Sequence, residues 1–269
     1  RRTSTGGPQT MFDKDEISCS ITCFLCILIQ WALLYTRGGF FGMFFDQYYL
    51  VLVVPTLILS LFAQIMVKST FSRYSKVLSR RHITGADAAR LLMRTNSITD
   101  VQIEAVAGSL TDHYDPQAKK LRLSEPVYGE TSIAAIGVAA HETGHAIQHA
   151  KGYGPLVLRS TLVPVANIGS AAGPYIAIAG LFFNMPFLLT LGIILFAGAV
   201  LFYLVTLPVE FNASSRAIAI LRNNAVLSDE ELAGVKKVLT AAAMTYVASA
   251  LTAVASLLRL VLLARDRRD

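Results

Sequence analysis

Residues 187–207 contain no charged side chain, and that run constrains the chain more than any other feature. About 20 apolar residues in helical form cross the hydrocarbon layer, because a helix satisfies its own backbone groups there. The same reading applies to residues 50–67, closed by Lys68, to 162–183, interrupted by Pro164 and Pro174, and to 238–263, rich in Ala and Leu. Residues 17–35 are also charge-free, and long enough to span or to act as a signal-like segment. With 54% hydrophobic and 16% charged residues, the chain is too apolar for an ordinary soluble domain. The expected class is mainly α, a polytopic helical membrane protein.

The net charge of +6 does not point to nucleic acid. Basic residues cluster beside apolar runs, with Lys68, Arg73, Lys76, Arg80 and Arg81 following residue 67, and no nucleic-acid motif accompanies them. By the positive-inside rule that end faces the cytoplasm. The tail 265–268 is basic too, which leaves 238–263 either crossing the bilayer or packing across the polar part. Cys19, Cys23 and Cys26 read as small apolar residues in lipid, not as a disulfide framework. Residues 1–42 read as an N-terminal extension. Met11 and Met43 are both candidate starts, and a start at Met43 makes the 17–35 span an artefact.

Chemistry enters at His141-Glu142-Thr143-Gly144-His145, an HExxH sequence within helix-forming residues 133–150. Four-residue spacing stacks the two histidines one turn apart on one face, so both imidazoles can reach a single zinc at about 2.0–2.1 Å. Glu142 is then placed to act on a metal-activated water as general base. Elimination supplies the third ligand. His149 lies about 12 Å along the axis from His141, too far to share a metal on a straight helix. No histidine follows it, and Glu210 is the one acidic residue between His145 and Asp229. Two crossings, 162–183 and 187–207, return the chain to the side it left, so Glu210 emerges on the same membrane face as His141 and His145. The competing reading makes Glu210 a membrane-border charge.

The domain plan is a transmembrane helix at 43–68, a cytosolic α+β part with the HExxH helix at 69–155, and two transmembrane helices over 156–207. A Glu-bearing helix and connection follow at 208–236, then a C-terminal apolar helix and basic tail at 237–269. Thr84 to Asp87 reads as an N-cap opening a short amphipathic helix that ends near Asn96. Residues 101–107 and 120–123 alternate and read as a small hairpin, whose exposed edge could hold an extended peptide. Pro208 suits the first turn of a new helix carrying Glu210, Ala213, Ser214 and Ala217 on one face. Ser228 with Asp229 to Glu231 reads as a cap, not as metal ligands.

Several of these stretches together carry a resemblance: Leu110-Thr111-Asp112-His113-Tyr114-Asp115-Pro116, Leu121-Arg122-Leu123-Ser124, residues 132–142, and Pro208-Val209-Glu210-Phe211-Asn212-Ala213-Ser214. From about residue 44 to the C-terminus the chain resembles the YugP-type family of bacterial membrane zinc metallopeptidases. The resemblance implies a small gluzincin-like zinc peptidase domain, a Zn2+ cofactor and Glu210 as third ligand. Gluzincins with an ExxAD motif carry an aspartate where Ser214 stands, so Asn212 or Ser214 is expected to support the first histidine.

The expected activity is that of a membrane-embedded zinc endopeptidase acting on membrane or membrane-proximal polypeptides. His113, Tyr114 and Tyr246 offer donors for the oxyanion, and no spacing selects among them. His82 reads as solvated, and His149 as facing a polar neighbour. An intramembrane site-2-type protease would need a later aspartate ligand, and none occurs between Asp115 and Asp229. A non-enzymatic zinc-stabilised scaffold would have no need of Glu142.

Overall fold

The computed structural model describes residues 46–266; the expected 17–35 span and both candidate starts lie outside them. A π-helical turn, Tyr49–Val53, leads into α1 (Val54–Tyr74), followed by α2 (Gly85–Thr95). Three strands come next, β1 (Gln102–Val106), β2 (His113–Asp115) and β3 (Lys120–Ser124). The rest is helical: the single turn α3 (Glu125–Tyr128), then α4 (Ile133–Ala150), α5 (Gly154–Phe182), α6 (Pro186–Asn223) and α7 (Asp229–Asp266). The helix from the π turn through α1, and α5, α6 and α7, are each long and apolar enough to cross a membrane. The protein is mainly α with one small sheet.

The strands do not form the expected hairpin. β1 pairs with β3 in parallel, Gln102 opposite Lys120, and β2 joins β3 from the other side in antiparallel register. Parallel neighbours need a crossover, and residues 107–119 supply it with β2 inside. The alternation in β3 is real. Leu121 and Leu123 are fully buried, while Lys120 and Arg122 turn to the other face and both bind Glu104.

Pro208 opens no new helix. It lies inside α6, as Pro164 and Pro174 lie inside α5. A proline removes one backbone hydrogen bond, but in apolar surroundings the remaining groups have no better partners than the helix. Glu210 therefore rides on the same rod as residues 187–207.

Glycines hold α5 and α6 together. A Cβ on Gly169 would stand 2.2 Å from Leu195 O, and one on Gly192 2.3 Å from Ala177 N. Only small residues permit this approach, which stands in for a hydrophobic driving force that lipid does not provide.

α7 runs along α1 and α6, and its first turns also pack against α4. Its first turn is a capping box: Ser228 N donates to Glu231 Oε2 at 2.7 Å, and Glu231 N to Ser228 Oγ at 3.4 Å. Arg80 N also donates to Glu231 Oε1, so this end is tied to the segment after α1. At the other end Tyr48 Oη donates to Asp266, just before α1 begins. α7 and α1 thus run antiparallel.

α4 is wedged between two apolar layers. Ala135 and Ala139 pack with Ala86, Ala89, Leu121, Leu123 and Val127 on the sheet side. Ile133, Ile136 and Ala140 pack with Ala217, Leu221, Leu232 and Val235 of α6 and α7 on the other.

Candidate metal centre

α4 begins where Ser132 Oγ accepts from Ala135 N at 3.1 Å, satisfying one of the free amides of the first turn. Fourteen of its 18 residues are buried, so the HExxH segment reaches the interior instead of standing on a solvated face. Its Gly144 meets the backbone of Ala213 on α6, which brings the two helices close enough for side chains one turn away to touch.

His141 and His145 stack with ring centroids 4.8 Å apart, nearly perpendicular. Glu210 Oε2 lies 3.2 Å from His141 Nε2 and 3.6 Å from His145 Nε2. One ligand atom from each of the three residues falls within 4.8 Å of the others. Ligands on a tetrahedral zinc at about 2.0–2.1 Å stand about 3.3 Å apart, so this donor set fits that ion. It also matches zinc in type, with two imidazoles and one carboxylate.

The far side of each imidazole has a partner. Gln148 uses both amide protons, toward Val209 O at 2.9 Å and Asn212 Oδ1 at 3.0 Å, so its Oε1 accepts from His145 Nδ1 at 3.0 Å. That arrangement puts the His145 proton on Nδ1 and leaves the Nε2 lone pair for a metal. Ser214 Oγ lies 3.2 Å from His141 Nδ1. Of the two residues expected to support the first histidine, Ser214 touches it. Asn212 instead accepts from Gln148 and from Arg216 Nε.

Glu142 is buried, and burial pushes its carboxyl up to about 7, with the charges of Asp112 and Glu210 acting in the same direction and those of His141 and Arg159 against it. Asp112, upstream of β2, accepts from Ser124 N at 2.7 Å and Ser124 Oγ at 2.9 Å. Burial raises its carboxyl above the usual range despite those bonds. On α5, Arg159 Nη1 stands 3.8 Å from Glu210 Oε1, with its guanidinium over the Phe202 ring.

Two of the oxyanion candidates are engaged with other side chains. His113 is in β2, with Nδ1 on Thr111 O at 2.9 Å and Nε2 facing Arg122 Nη1 at 3.2 Å. The guanidinium donates there, so that nitrogen is an acceptor. Tyr114 Oη bonds His149 Nδ1 at 2.8 Å, and burial, then the charges of Asp100 and Asp115, push the phenol up to about 12. His149 thus faces a polar neighbour as expected. Tyr246 lies half-buried on α7, and His82 is exposed.

Sequence reading missed two residues. Gln148 had a signal, three positions after His145 on the same helix. Arg159 had one as well, a cation at the margin of an apolar run where charge is costly.

Comparison with known proteins agrees with this geometry. Residues 49–265 match the family described as "Putative neutral zinc metallopeptidase". The chain is 49% identical over 221 residues to a Bacillus subtilis (strain 168) protein named "Putative membrane protease YugP", covering 82% of this chain and 98% of that protein. No solved structure matches it. With the family match spanning most of the chain, and a His-His-Glu cluster able to hold the ion, this protein belongs to the YugP-type neutral zinc metallopeptidase family and takes zinc as its cofactor.

Proposed function

We propose that this protein is a membrane-embedded zinc endopeptidase that cuts membrane or membrane-proximal polypeptides at a site facing the cytoplasm. The observation that carries the reading is the meeting of His141 Nε2, His145 Nε2 and Glu210 Oε2 beside the buried Glu142. In this reading His141, His145 and Glu210 hold the metal and Glu142 is the general base. Zinc, when bound, supplies the Lewis acidity that polarises a carbonyl and acidifies water.

The residues supply the rest. Glu142 takes a proton from the attacking water and passes it to the departing amine. Its carboxyl, raised by burial, is suited to both halves of that transfer near neutral pH. Gln148 and Ser214 keep the two Nε2 atoms turned inward. The outer edge of β2 pairs with no other strand among the described residues and offers an extended peptide backbone hydrogen bonds near α4. Lys68, Arg73, Lys76, Arg80 and Arg81 follow the apolar part of α1 at the end where α7 begins, which favours the cytoplasmic orientation.

Metal analysis and a peptide-cleavage assay on purified Glu142→Gln and Glu210→Ala test the proposal. Glu142→Gln is expected to keep zinc and lose cleavage; Glu210→Ala is expected to lose zinc. Cleavage surviving in metal-replete Glu142→Gln would overturn the general-base role.

A further inference from the structure

Of the oxyanion candidates, His113 and Tyr114 each spend a polar atom on another side chain. Arg159 enters from a different element. It sits in the second turn of α5, after Pro155, and its side chain is only 15% exposed. Its Nη1 faces Glu210 Oε1, whereas Oε2 is the oxygen that faces the two imidazoles. The guanidinium is therefore one carboxylate's width from the cluster, and Phe202 flanks its plane with 5.9 Å between the guanidinium carbon and the ring centroid.

A permanent charge held this close, in a site largely shut from water, acts at low effective dielectric. Guanidinium also stays charged at every working pH and presents a planar fork of N–H donors to an oxygen. A neutral phenol or imidazole offers one donor, and must find it unengaged.

We propose that Arg159 is the group that receives the negative charge developing on the scissile carbonyl oxygen. The inference rests on the peptidase reading above. In the step concerned, the water oxygen bonds the carbonyl carbon, its proton goes to Glu142, and the carbonyl π pair moves onto the oxygen facing Arg159. When that pair returns, the C–N bond breaks and Glu142 gives the proton to the amine.

The test uses full-length protein in detergent, with Arg159→Gln and Arg159→Lys compared on a quenched-fluorescent casein-derived peptide. Zinc affinity is read by chelator competition, and binding of a phosphinic analogue of that peptide is measured directly. Arg159→Gln is expected to lower kcat about 10²- to 10³-fold, with KM nearly unchanged. Phosphinic-analogue binding should weaken in step, zinc affinity should hold, and Arg159→Lys should recover part of the rate. Phosphinic binding that stays within threefold of wild type would overturn the proposal. So would a rate loss matched by lost zinc affinity, which would reduce Arg159 to holding Glu210. Failure of the parent reading looks different: wild type itself would then show no Glu142-dependent cleavage.

Discussion

A Cβ placed on Gly144 would stand 2.7 Å from the carbonyl oxygen of Ala213, so the glycine inside the HExxH segment is where α4 and α6 touch. Because Ala213 lies one turn beyond Glu210 on α6, this contact sets how far the carboxylate stands from the two imidazoles. Gly144→Ala is expected to force the helices apart, at a cost of about 1–3 kcal/mol. Chelator competition should show zinc affinity reduced about tenfold or more while His141, Glu142, His145 and Glu210 are all unchanged. Unchanged affinity would mean that the backbone contact does not set the carboxylate's position.

Gln148 is fully buried and bonded on all sides, which makes it the residue that orients His145. Replacing it with Leu keeps the volume and removes every one of those bonds. Zinc affinity should fall by about 10- to 100-fold, the usual cost of losing a partner to a ligating histidine. Ser214→Ala tests the same principle at His141. A Gln148→Leu protein that holds zinc as wild type does would reassign Gln148 to packing.

The raised carboxyl of Glu142 predicts a pH signature in metal-free protein. Its ordinary value is 4.5 and burial pushes it to about 7, so the folded state binds the proton more tightly than the unfolded chain. Stability from this group is present below pH about 4.5 and is lost as pH rises through about 7. At about 1.4 kcal/mol per pKa unit the loss is capped at roughly 3 kcal/mol. Thermal unfolding of chelated wild type should lose that stability across the window, whereas Glu142→Gln should not. Parallel curves for the two proteins would refute it.

The glycine seam of the α5–α6 hairpin should matter to the bundle. Gly192 has the Ala177 backbone where a side chain would go, whereas Gly129 has nothing within 4 Å. Gly192→Leu is expected to lower the melting temperature in detergent by several degrees, and Gly129→Ala to leave it unchanged. Equal melting temperatures for the two variants would show that the seam is not under packing strain.

Local chemistry made part of this protein readable from its residues. Four-residue spacing put His141 and His145 on one helical face, long apolar runs marked the long helices, and Thr84 with Asp87 announced the start of α2 through a cap between residues three apart in sequence. Elimination along the chain pointed to Glu210 as the candidate third ligand, since it is the one acidic side chain between His145 and Asp229. The continuous α6 was harder to foresee. Proline rules are learned in water, and a helix surrounded by apolar groups keeps its remaining bonds.

What the linear pattern could not carry was every relation between distant surfaces. Alternation in 101–107 and 120–123 marks strands, but it is the same for parallel and antiparallel partners, so the sheet order was decided by packing against α2 and α4. Gln148 gained its role only when Val209 and Asn212 arrived from α6, and Arg159 when α5 laid it against Glu210. Residue type and short-range spacing were enough to show which side chains could hold an ion and which segments are long and apolar enough to cross a membrane. Tertiary structure decided which atoms meet, because that depends on how closely Gly144, Gly169 and Gly192 let separate helices approach.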